Sequence, residues 1–192
     1  EVYAHWRTLR AVAVLNDHSD AAAGWGDHRA VLTLQATPEW KAWLALDNKW
    51  MPQTDFAEHV IDTAADIIDP PTADLLEMAE TFSAVSGVQF KSANRLKDGQ
   101  RQLTYIETVD AQAGRGGSVI IPDAILLRLA PFDGADPVEM RARFRYRING
   151  GDLRLGYVLD RPDLVTRTAF AAVVAGIERE TGITALWGTP RS

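Results

Sequence analysis

EMRARFRYRINGGDLRLGYVLD, residues 139–160, is the stretch that decides the fold. From Glu139 to Ile148 the side chains alternate without a fault. Met140, Ala142, Phe144, Tyr146 and Ile148 fall on one side of an extended chain, and Arg141, Arg143, Arg145 and Arg147 on the other. This is a half-buried strand. Asn149-Gly150-Gly151 then supplies residues that accept the positive φ angles of a two-residue hairpin turn. With Asn149-Gly150 as the turn, Tyr146 faces Leu153, Phe144 faces Leu155, Ala142 faces Tyr157 and Arg147 faces Asp152. A turn at Gly150-Gly151 keeps the same parity, whereas a three-residue loop would send every side chain to the wrong face. Both even registers set an arginine, Arg145 or Arg147, opposite Arg154, and like charges directly across a ladder repel. The face therefore calls for something negative: carboxylates from another strand, helix or subunit, or a bound anion. Solvent with nearby Asp and Glu is the plainer answer.

Downstream, Asp160-Arg161-Pro162-Asp163 reads as a helix entry, with Asp160 as cap, Pro162 in the first turn and Asp163 at the positive helix end. Gly182 supplies the stop. Between them Leu164, Val165, Ala169, Ala172, Val173, Gly176 and Ile177 recur at helical spacing, which predicts a helix over 161–181 covering the apolar face of the hairpin.

Upstream, residues 119–121 and 125–130 read as short interior strands around Pro122-Asp123, and Pro131-Phe132-Asp133-Gly134 turns the chain toward the arginine strand. Residues 90–96 and 101–109 form a second hairpin across Asp98-Gly99. Residues 111–117 read as a mobile loop whose glycines flank Arg115, without the Lys-Ser/Thr of a P-loop or the glycine spacing of a dinucleotide fold. Residues 8–16 and 29–35 read as strands joined by a loop over 17–28. That loop holds His18, Asp20, Asp27 and His28, metal-ligand types with no helical His-x-x-x-His spacing, so no metal site is assigned.

Three further helices are predicted, over 38–48, 55–68 and 72–86. Thr37 caps the first, and its Trp40, Trp43 and Leu44 join Trp50 in an aromatic cluster of the kind that fills cores and interfaces. In the second, capped by Thr54, Phe56, Val60, Ile61, Ala64, Ile67 and Ile68 form the buried side. Opposite them Asp55, Glu58, Asp62, Asp66 and Asp69 step by three or four, an acidic interaction face. The third, opened by Thr72, turns Asp74, Glu77 and Glu80 outward, and no Lys or Arg occurs from Asp55 to Glu80. Such a face is merely solvated, docks on the arginine stripe, imitates a phosphate backbone or binds a cation; the sequence leaves these open.

The elements add up to an α+β protein, an antiparallel sheet built from β-hairpins with about four packed helices. The 192 residues suit a single α+β domain. A hydrophobic fraction of 46% with six Trp excludes a disordered chain, and the absence of Cys excludes disulfides, thiolate metal sites and a Cys nucleophile. No apolar run approaches the ~20 residues of a membrane span, so a soluble intracellular protein with no membrane partner is expected. Glu1 opens almost directly onto a strand, which suggests a further N-terminal region. The net charge of −6 divides unevenly. Residues 1–85 hold 14 Asp/Glu against 5 Lys/Arg, net −9, and residues 86–192 hold 12 against 15, net +3. That division serves packing within a subunit, contact between subunits, or separate partners.

Asn16-Asp17-His18, Asp27-His28-Arg29-Ala30, Thr37 with Trp40, Ala42 and Trp43, and above all the run from Gln53 to Asp62, resemble the YfdQ-like family of phage and prophage proteins. The match departs at His59, where an aromatic or apolar residue is expected. What the resemblance implies is a phage or prophage gene, often among early or recombination genes, acting in the host bacterial cytoplasm. It brings no catalytic residues.

No Gly-x-Ser-x-Gly, His-Glu-x-x-His or Walker motif is present, so no catalytic residue and no cofactor is assigned. The leading expectation is a non-catalytic accessory protein that self-assembles into a homo-oligomer, the acidic helix face of one subunit near the arginine strand of another. The alternatives are a nucleic-acid-binding or recombination-associated protein using Arg141, Arg143, Arg145, Arg147 and Arg154 toward an anion or partner, and an acidic DNA mimic that engages a host protein.

Overall fold

The structure is a computed structural model that describes residues 1–19, 22–83, 89–95, 101–107, 115–149 and 152–190, with side chains outside 80–121 and 148–152. In chain order the elements are β1 (Val2–His5), β2 (Arg10–Val14), β3 (Arg29–Thr33), α1 (Pro38–Leu46), α2 (Gln53–Asp62), β4 (Ile67–Asp69) and α3 (Thr72–Ser83). They continue as β5 (Gln89–Arg95), β6 (Arg101–Glu107), β7 (Arg115–Ile121), β8 (Ala124–Leu129), β9 (Val138–Asn149), β10 (Asp152–Leu159), α4 (Pro162–Thr181) and β11 (Ala185–Trp187). The strands form sheets ordered β11-β1-β2-β3, β10-β9-β8-β4 and β5-β6-β7, antiparallel throughout except for the β1–β11 pair. The protein is α+β, as the sequence pattern predicts. The chain divides into two compact units: Glu1–Trp40 with Ala130–Pro137 and Arg161–Ser192, and Lys41–Leu129 with Val138–Asp160.

In the first unit α4 packs on the sheet through Phe170 and Val174, one helical turn apart, which are buried with Val2, Ala4, Phe132 and Ala185. This corrects the expectation that α4 covers the 139–159 hairpin. Of the stripe the spacing suggested, Ala169, Val173 and Ile177 pack against this core, while Ala172 is exposed and the fully buried centre is Phe170 and Val174. The capping prediction also changes. Asp160 spends its N–H on the carbonyl of Arg141, and Arg161 stands at the helix entry with φ 48° and no side-chain cap. Pro162 and the Gly182 stop, at φ 68°, are where the sequence puts them. Thr37 does cap α1, accepting the Trp40 N–H at 3.1 Å while its hydroxyl donates to the Ala130 carbonyl at 2.6 Å. β3 is the edge strand of this sheet, and all five of its residues are exposed, Val31 and Leu32 included.

In the second unit the hairpin takes the later of the two even registers: Asn149 opposite Asp152, Arg147 opposite Arg154, Tyr146 opposite Leu155, Arg145 opposite Gly156, Phe144 opposite Tyr157 and Ala142 opposite Leu159. Met140, Ala142, Phe144, Leu153, Leu155, Tyr157 and Leu159 are buried, so the sequence assigned the two faces correctly. The element that covers the apolar face is α2, which sets Phe56 edge-on to Phe144 with ring centroids 5.4 Å apart.

The predicted helix over 55–68 is two elements. α2 starts at Gln53, so Thr54 lies inside it rather than capping it, and it ends at Asp62. After a short 3-10 turn, Ile67–Asp69 pairs antiparallel with β8 as β4. Two β-branched residues ahead of Asp69-Pro70-Pro71 explain the change, because Ile favours strand and a residue before proline avoids the helical region. Arg115, Gly116 and Gly117, read as loop, are the start of β7. The Asp98-Gly99 turn, residues 111–114, Gly150-Gly151 and Asp20 lie outside the described residues.

Candidate anion-binding cleft

The chain that leaves α1 builds a second layer over the arginine face. Asn48 adopts φ 59°, and residues 48–51 then run beside β10. The Asn48 N–H donates to the Tyr157 carbonyl at 3.0 Å, and Met51 and Leu155 exchange N–H to carbonyl bonds at 2.8 and 2.9 Å. Passage is allowed because β10 carries Gly156 there. A Cβ on that glycine would stand 2.3 Å from the Lys49 carbonyl oxygen, a clash with backbone that no rotamer relieves. Met51 is buried. Its neighbour Trp50 lies over the arginines, with the guanidinium carbons of Arg145 and Arg147 4.8 and 4.9 Å from its ring centroid. Each such contact is worth about 0.5–1 kcal/mol where exposed and more where water is excluded.

Beside the indole opens a cleft of about 480 Å³, lined by Trp50, Asp123, Arg141, Arg143, Phe144, Arg145 and Tyr146. Three arginines and one aspartate thus share its lining. Arg141, Arg143 and Arg147 are exposed, and Arg145 is half-buried. Among the described residues none of the four β9 arginines forms an ion pair with a carboxylate. Nε and Nη2 of Arg145 are the sharpest feature: both are shut off from solvent, and neither has a hydrogen-bond partner among the described residues. A buried donor left unmet costs about 1–3 kcal/mol, more for a charged group, and a guanidinium cannot escape by losing its proton.

The structure brings four of the five predicted arginines around Trp50 and its cleft. Arg154 stands across the ladder from Arg147 and has partners of its own. The acidic face fares differently. Asp55, Glu58 and Asp62 are exposed on α2 and Asp69 is exposed in β4, but Asp66 is buried and accepts the Trp43 indole N–H at 2.9 Å. Five carboxylates on one helical face become three, because the helix stops before Asp66. Ile61, predicted to be buried, is instead 56% exposed. Sequence reasoning grouped Trp50 with Trp40 and Trp43 and missed both its place over the arginines and the role of Asp123. The lone glycine in an otherwise alternating strand, Gly156, was the available signal of a close backbone approach.

On the opposite face of the hairpin the buried polar groups of Tyr157, His59, Trp43 and Asp66 are matched. The Tyr157 hydroxyl donates to the Trp43 carbonyl at 2.8 Å and lies 3.2 Å from Nε2 of His59, which therefore carries its proton on Nε2. Trp43 meets the His59 ring edge-on at 4.7 Å and the Tyr157 ring at 5.0 Å. Burial holds the His59 imidazole below its ordinary range, partly offset by the charge of Asp62, and burial pushes the Tyr157 phenol up. His59, the departure from the resemblance, is thus a neutral core histidine. In the 17–28 loop, Asn16 donates to Asp27 at 2.5 Å and His28 Nε2 lies 3.9 Å from the same carboxylate. The Asn16 bond holds the Asp27 carboxyl below its usual range.

An α+β chain with an arginine-lined cleft over one face of a hairpin is therefore the class that fold and site define. The chain belongs to the family DUF2303, described as uncharacterized conserved proteins, whose model matches residues 1–190. No curated protein and no solved structure matches it. Among the described residues no helix is long and apolar enough to cross a membrane.

Proposed function

We propose that this is a non-catalytic binding protein of phage or prophage origin, of the YfdQ-like kind, whose β9 arginine face takes an anionic polymer, nucleic acid, in the host bacterial cytoplasm. The observation that carries the reading is the convergence of Arg141, Arg143 and Arg145 in one cleft, with no β9 arginine in an ion pair among the described residues. Charge complementarity is local. A cleft whose lining includes three arginines attracts phosphates even on a chain of net charge −6, since fields beyond about 10 Å are screened at moderate salt. Affinity of the full-length chain for single-stranded and duplex DNA is measured by anisotropy across a salt series. A log-log slope that falls by about 2 on replacing Arg141 and Arg143 with Ala supports the reading, and binding that ignores salt sinks it.

Self-assembly into a homo-oligomer is the second reading, and β3 favours it. An exposed edge strand carrying Val31 and Leu32 offers an edge to a second copy, while Asp55, Glu58 and Asp62 are exposed where they can meet an arginine face. Light scattering at low and high salt decides: a discrete oligomer supports it, and a monomer at micromolar concentration under both conditions removes it.

A further inference from the structure

We infer that copies of this chain associate head to tail, the outer face of α2 in one copy seated on the β9 arginine face of the next. The inference rests on the self-assembly reading above and names the two surfaces that meet. Exposed carboxylates on a helix are ordinary, and so are exposed arginines on a strand. What singles these out is that one compact unit carries both, on opposite sides of one sheet. α2 turns Phe56, Ala57 and Val60 inward, with Phe56 against Phe144 on the apolar face of β9. Asp55, Glu58, Ile61 and Asp62 are left exposed. Arg141, Arg143 and Arg147, which alternate with the apolar residues of the strand, are exposed on the other side. Among the described residues none of these three arginines and none of Asp55, Glu58 and Asp62 is in an ion pair.

The spacings agree as well as the signs. Glu58 and Asp62, four residues apart on a helix, are separated by about 6 Å along its axis. Arg141 and Arg143, two residues apart on a strand, are separated by about 7 Å. Two carboxylates can thus face two guanidiniums, and Ile61, 56% exposed, adds apolar surface to the same helix. Placement then dictates symmetry. A pair that makes this contact once has turned its remaining α2 face and its remaining arginine face outward, so it cannot close on itself about a two-fold axis. The contact is heterologous and propagates as a ring or a chain. On this arrangement α2 and nucleic acid compete for one arginine surface.

The test is light scattering on the full chain with two neutralised variants, Glu58→Gln with Asp62→Asn, and Arg141→Gln with Arg143→Gln. All four positions are exposed, and urea midpoints matching the wild type establish that each variant folds. At low salt the wild type is expected as a multimer that comes apart near about 1 M salt, where the screening length is about 3 Å. Each variant alone should be a monomer. An equimolar mixture of the two should form a pair of twice the monomer mass and stop there, since one copy lends the arginine face and the other lends the helix. A wild-type assembly indifferent to salt, a variant that keeps the wild-type mass, or a mixture that stays monomeric overturns the inference. Each of those leaves self-assembly standing through another surface such as β3. A wild type that is monomeric at both salts removes the inference and the self-assembly reading together.

Discussion

The two faces of one hairpin differ in how their polar groups are met. On the apolar face, Phe144, Leu155 and Tyr157 are sealed by α2, and the buried polar atoms of Tyr157, His59 and Asp66 meet partners a few ångströms away. On the arginine face, alternate residues of the same strand meet an indole, a cleft and, among the described residues, no ion-pairing carboxylate. One face is finished within the chain. The other leaves Nε and Nη2 of Arg145 without a partner among the described residues, at a cost to stability that packing alone does not explain. A strand puts such neighbours one residue apart, so stability and recognition can be separated by parity.

The apolar face should carry most of the stability. Phe56→Ala, which empties a fully buried aromatic site against Phe144, is expected to cost about 3–5 kcal/mol in urea unfolding. Next comes the join between the faces. Gly156→Ala forces a Cβ toward the Lys49 carbonyl and is expected to cost about 1–3 kcal/mol and to shift Trp50 emission, since the strand carrying the indole must move. Trp43→Phe removes one donor from the buried Asp66 and is expected to cost about 1–3 kcal/mol without altering anion affinity.

A pH series sharpens the contrast further. His59 is held below its ordinary range when folded and returns to about 6.5 when unfolded. The unfolded chain therefore takes up the proton first. Stability contributed by the neutral ring is complete above about 6.5 and falls as the pH drops toward the folded value. The urea midpoint should decline on acidification, and His59→Phe should flatten that decline. The smallest effect is expected on the other face. Trp50→Ala should change stability by only about 1–2 kcal/mol while weakening DNA binding, the reverse of the pattern at Phe56.

The apolar face was legible in the sequence because it rests on alternation, and alternation is a local property. Met140, Ala142, Phe144, Leu153, Leu155 and Tyr157 announce themselves at period two, and the α+β class follows from hairpins and helix caps such as Thr37. The arginines were legible as a set for the same reason. What covers them was not, because Trp50 arrives from nearly a hundred residues away, and only Gly156 marks its passage. The acidic face was over-read, since charge spacing at Asp66 and Asp69 continues a helix that Pro70 and two isoleucines end. The α4 stripe was legible in part: Ala169, Val173 and Ile177 pack on the core, but Phe170 and Val174 at its centre were missed, because an Ala-rich helix offers several apolar faces and the choice among them was made by Phe132 and Ala185, far apart in the chain.

The hairpin register sets more than polarity. Both even registers keep the same face inward, yet they differ in which arginine stands across from Gly156: Arg145 in this one, Arg143 in the other. The register therefore works as an index. Sliding the return strand by two residues leaves the core unchanged in kind and moves the indole from one pair of guanidiniums to the next, re-addressing the cleft without a single substitution on the arginine strand.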